Sequence, residues 1–249
     1  MSNSLVPSNS AIPISSLRKI TRTLHDSISR VATGLRVLGG NDAASQSLAN
    51  TLNARAKSFQ AAERNSNSGI AFLQLAESAL TELNNLATRL KEVGIADTNS
   101  NNTASDTAAL NSEAVYVSDT IDSIVSSLTY NGINVLGTSS ITKAIGINDA
   151  GDTQTIQSTT GIGATNINDA TNANTSMDTS LGEITTSLGA VAGGLTSLQS
   201  YRNVASTTAA HLIAAASNLQ DTDFAEETAI ITKQSLIKNY ALAMVATAN

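Results

Sequence analysis

A chain of 249 residues is long enough for one core or two small domains, yet only 3% of it is aromatic, Trp and Cys are absent, and charged residues make up 14%. Without large rings to fill a globular centre, Leu, Ile, Val and Ala must pack in thin seams, which suits helices lying side by side. The formal charge of −6 argues against a nucleic-acid surface, which needs clustered Lys and Arg, and the lack of cysteine excludes disulfides and thiolate metal sites.

Residues 1–16 hold both prolines, Pro7 and Pro13, and read as loosely ordered. Leu17, Ile20, Leu24, Ile28, Val31, Leu35 and Leu38 follow at steps of 3, 4, 4, 3, 4 and 3. That spacing predicts a terminal helix whose narrow apolar stripe needs a partner; Arg18, Lys19, Arg22, Asp26 and Arg30 are assigned to its opposite face. Gly39-Gly40 breaks it, and Asn41-Asp42 are residue types that cap a new helix. This second helix is predicted from Asp42 to about Val93, its clearest stretch running from Leu73 through Leu80, Leu83 and Ala87 to Leu90. Gly94 and the polar tract after it predict a loop, because short polar side chains compete with helical backbone bonds.

Leu110, Ala114, Val117, Ile121, Ile124 and Leu128 predict a third helix, ended by a turn at Asn131-Gly132. Residues 142–148 and 153–158 flank Asp149-Ala150-Gly151-Asp152 as a β-hairpin, and the remainder to Met177 reads as irregular surface. From Leu181 to Leu219 one heptad register persists, with Arg202 its only charged position, predicting a helix of roughly 60 Å and a left-handed supercoil. Asp221-Thr222-Asp223 caps a last helix over Phe224 to Asn249.

The predicted fold is mainly α: a long antiparallel coiled-coil-like helical bundle with a small β-hairpin region and paired N- and C-terminal helices. Its expected domains are a terminal helix over 1–44, a body over 45–219 with the hairpin region at about 133–178, and a C-terminal helix over 220–249. No catalytic, cofactor or metal constellation is visible. His25 and His211 fall in different helices, and Gly161 and Gly163 lack the lysine of a phosphate cradle. Gly193-Gly194 reads as a close-packing site, and Glu226 and Glu227 as first-turn carboxylates complementing the helix dipole. The abundant feature is apolar seam. Leu17, Ile20, Leu24, Ile28, Val31, Leu35, Phe224, Ile231, Leu242 and Val245 are expected to bury against other copies; the plainer alternative is an intramolecular bundle.

Residues 27–45, SISRVATGLRVLGGNDAAS, resemble the N-terminal signature of bacterial flagellins. Ala79 to Asn85, Tyr130 to Leu136, the hairpin around Asp149 to Asp152, and Leu219 to Glu227 are similar to further patterns of that family, in the same order. The resemblance implies an extracellular filament subunit for motility, exported by the flagellar type III apparatus with a chaperone and meeting hook-associated and cap proteins. It further implies that the terminal helices fold together on assembly as an inner tube. Residues 1–30 lack the basic start and apolar run of a cleaved signal, and no stretch of about eighteen apolar residues predicts a membrane span. Arg89, Val93 and Glu113 match positions that contact subunits, or a vertebrate innate immune receptor, in relatives. The alternatives are a hook-filament junction protein and a non-polymerising secreted helical effector; the match through Phe224 to Glu227 favours flagellin. No large outer domain follows the hairpin, so a thin filament is expected. The chain stops at Val245 to Asn249, where many relatives continue, and the Ser and Thr of 97–109 and 138–178 are candidate glycosylation sites.

Overall fold

The computed structural model describes residues 11–36, 42–162 and 169–247, with the backbone alone at 11–14 and 245–247. The expected break at Gly39-Gly40, together with Leu38, Asn41 and Gly163, lies outside the described residues. In chain order the elements are α1 (Ala11–Thr33), α2 (Ala43–Asp97), α3 (Ala104–Ser127), β1 (Thr129–Tyr130), β2 (Ile133–Asn134), β3 (Ile141–Gly146), β4 (Thr153–Thr159), α4 (Ala170–Gln220) and α5 (Phe224–Thr247). They form two compact units, residues 57–209 and residues 1–56 with 210–249. The division falls inside α2 and α4.

Within the 57–209 unit, α2 and α4 run antiparallel. Gly69 of α2 lies against Leu198 of α4, Leu73 against Gly194, and Gly94 against Asn174, so one number falls as the other rises. The core is the seam read from the sequence: Leu73, Leu80, Leu83, Leu90 and Val93 of α2 meet Met177, Ile184, Val191 and Leu198 of α4 and Ala114, Ile121 and Val125 of α3. Thr103 opens α3 with a capping box, its hydroxyl accepting from the Asp106 N–H while the Asp106 carboxylate accepts from the Thr103 N–H.

Three expectations for this unit are corrected. α2 does not stop at Val93 but continues through Gly94 to Asp97; Gly94 serves close approach, since a Cβ there would lie 2.7 Å from the Asn174 backbone N. The irregular stretch to Met177 is shorter than read, since α4 begins at Ala170 and Met177 is fully buried. At 51 residues α4 is about 75 Å long, well beyond the expected length. Of the paired glycines, Gly194 is a close-packing site against Leu73 and Ile156, whereas Gly193 faces open space.

The hairpin is present as β3 antiparallel to β4, with Ile147 N–H donating to Asp152 O and the Asn148 side chain accepting from the Ala150 and Asp152 N–H groups across the turn. At the end of α3, Asn131 and Gly132 both take positive φ, 50° and 74°, and join β1 to β2 in a second, very short hairpin.

In the other unit, α1 starts at Ala11 rather than after Ser16. Gly34, at φ +71°, ends α1. Asp42 accepts from the Ser45 N–H at the start of α2, as a cap should.

Candidate assembly surfaces

α1 and α5 pair antiparallel, and a backbone clasp closes one end of the pair. Arg36 N–H donates to Gln220 O at 2.7 Å and Thr222 N–H to Gly34 O at 3.0 Å, so Leu35 and Asp221 form an antiparallel bridge. Asp223 caps α5, its carboxylate accepting from the Ala225 and Glu226 N–H groups.

Next to the clasp, Arg30 reaches across to α5. Its Nε donates to Glu227 Oε1 at 2.5 Å and its Nη2 to Oε2 at 3.1 Å, while Nη2 also donates to Ser27 Oγ at 3.1 Å. Ser27 is fully buried and Glu227 is 8% exposed. The bond from Arg30 holds the Glu227 carboxyl below the usual carboxylate range; burial opposes it, and Ser27 and the charge of Arg30 add to it. The same carboxylate raises the Arg30 guanidinium further.

Within the single chain the buried stripe of α1 is offset from the heptad positions. Leu17, Ile20, Leu24, Val31 and Leu35 are half-buried, but Ile28 is 50% exposed and Ser27 takes the buried position. The observed steps are 3, 4, 3 and 4 through 17, 20, 24, 27 and 31, and Arg30 belongs to the inner flank, not the outer face. On α5, Ile231 is half-buried, whereas Phe224 and Leu242 are exposed; the Val245 side chain lies outside the described residues.

The outward side of α5 carries Leu236, Ile237 and Tyr240, with Tyr240 72% exposed. With Ala225, Thr228, Ala229, Thr232 and Lys233 they line an open groove of about 690 Å³.

The 57–209 unit holds the second candidate surface. Arg89 of α2 donates through Nε at 2.8 Å and Nη2 at 2.6 Å to Glu113 Oε1 of α3, and through Nη1 at 3.2 Å to Glu92 Oε2. Arg89 is exposed and Glu113 half-buried, and each engages the other. Val93 does not join them: it is 2% exposed and packed in the core. His25 and His211 sit on different helices, as read from the sequence.

The family model for the bacterial flagellin N-terminal helical region matches residues 3–141. The chain belongs to the bacterial flagellin family. It is similar to the flagellin of Salmonella typhimurium, 35% identical over 135 residues that make up 53% of this chain and 27% of that protein. Phase 1 flagellin of Salmonella naestved is 35% identical over 142 residues, 56% of this chain and 28% of that protein. The matched region thus spans about a quarter of these relatives' length. A crystal structure of Bacillus cereus flagellin has 25% sequence identity and a TM-score of 0.41, covering 63% of this chain and 93% of that one.

Sequence reasoning missed the Arg30–Glu227 pair. The signal was two consecutive steps of four, from Ile20 through Leu24 to Ile28, which break a strict heptad and should have moved the seam to Ser27.

Proposed function

We propose that this flagellin-family chain is a structural subunit that polymerises with copies of itself into the extracellular flagellar filament, with residues 1–56 and 210–249 forming the inner tube. The observation that carries this reading is the outward apolar side of α5, where Leu236, Ile237 and Tyr240 stand exposed on a helix already paired with α1. Leu242, Met244 and Phe224 extend the exposed apolar surface of the same helix. Export by the flagellar apparatus and encounters with hook-associated and cap proteins follow from the same reading. Arg89 and Glu113, both reachable from solvent, are suited to subunit packing or to recognition by an innate receptor.

The test is negative-stain microscopy of the full chain with filament seeds, beside Leu236→Asp. The wild-type chain is expected to form long uniform filaments, and the variant roughly tenfold fewer with an unchanged melting midpoint, since a charge on an exposed apolar contact face costs association rather than folding. A wild-type chain that stays monomeric overturns the reading.

A further inference from the structure

Hydrophobicity alone does not settle which side of α5 sits on α1, since apolar residues stand on both its half-buried and its exposed sides. The residues of α5 that are buried or half-buried are Glu227, Ile230, Ile231, Gln234, Lys238 and Ala241, and half of them are polar: Glu227, Gln234 and Lys238. The opposite side offers Leu236 and Tyr240. A helix apolar on several sides has no single preferred seam, and burial area does not decide its rotation. A directional contact can. The two-point bond from Arg30 to Glu227, braced by fully buried Ser27, exists in one rotation and one register only.

We propose that the Arg30–Ser27–Glu227 contact specifies which side of α5 faces α1, and thereby holds the Leu236–Ile237–Tyr240 side outward as the surface that receives a second copy of this chain. This rests on the filament reading above. Buried polar contacts that fix register are attested in paired helices, and their replacement by apolar residues often leaves stability intact, with specificity lost in some systems. A contact serving stability alone and one serving specificity therefore part company in an apolar replacement.

The test compares the full wild-type chain with the double variant Arg30→Met and Glu227→Leu, by seeded polymerisation, circular dichroism of the assembled material and the regularity of the filament diffraction pattern. The variant is expected to keep its helical content but to yield filaments of mixed helical symmetry, or roughly tenfold fewer filaments, as loss of a register-fixing polar contact implies. Uniform filaments with the wild-type pattern overturn the proposal, and so does loss of terminal helical content, which would assign the contact to stability. Absence of filaments from the wild-type chain removes the assembly reading itself, an outcome distinct from either.

Discussion

At the scale of single residues, the buried carboxylate of Glu227 makes the terminal helix pair sensitive to acid. Arg30 holds its folded-state pKa below the unfolded value, which for Glu is about 4.3. Protonation therefore favours the unpaired state, so the stabilisation is fully present above the unfolded value and is lost as pH falls through the lower folded one. The charges of Asp26 and Glu226 also favour the Arg30 guanidinium. Pairing of α1 with α5, followed by hydrogen exchange of their amides, is expected to weaken below about pH 4. Glu227→Gln should flatten that dependence; a profile unchanged by the substitution would place the acid sensitivity elsewhere.

At the scale of elements, the order and type of the long helices were legible because their seams repeat at heptad spacing, and Leu73, Leu80, Leu83, Leu90, Ile184, Val191 and Leu198 are all buried where that spacing put them. The errors in placing the seams share one cause. In a bundle this poor in aromatics, helices approach closely over small residues, and serine serves as well as alanine when its hydroxyl finds a partner. Ser27 displaced Ile28, and fully buried Ser187, which bonds Thr160, takes the inner position beside Leu188. A hydrophobic count steps over such serines. Glycine misled in the opposite direction at Gly94, where close approach, not helix termination, was its purpose. The broken heptad at Ile28 could have moved the seam to Ser27, but nothing local joins Arg30 to Glu227, 197 residues away. Leu198 tests the seam directly, since it is fully buried and meets Gly69. Leu198→Asp forfeits about 1.5–3 kcal/mol of apolar burial and adds the cost of an unpaired buried carboxylate. A total above about 4 kcal/mol is expected, read as loss of the cooperative melting of the 57–209 unit. An unchanged midpoint would contradict the assignment of α4 to that core.

At the scale of the whole molecule, charge is divided unevenly between the two units. Residues 1–56 and 210–249 hold eight Lys and Arg against six Asp and Glu, a net of +2, whereas residues 57–209 hold six against fourteen, a net of −8. In the proposed filament, copies of the acidic unit packed side by side would repel one another and oppose the proposed apolar contacts of α5. That repulsion is long-ranged at low salt, where the Debye length is about 30 Å at 0.01 M, and short-ranged at 0.15 M, where it is about 8 Å. Apolar burial is little affected over the same interval. Seeded elongation followed by light scattering is therefore expected to quicken roughly tenfold from about 0.01 to 0.15 M salt, within the range that electrostatic effects on association rates span. A rate that falls with salt would mean that opposite charges on neighbouring copies drive their meeting, with the cations of the basic unit finding the carboxylates of the acidic one.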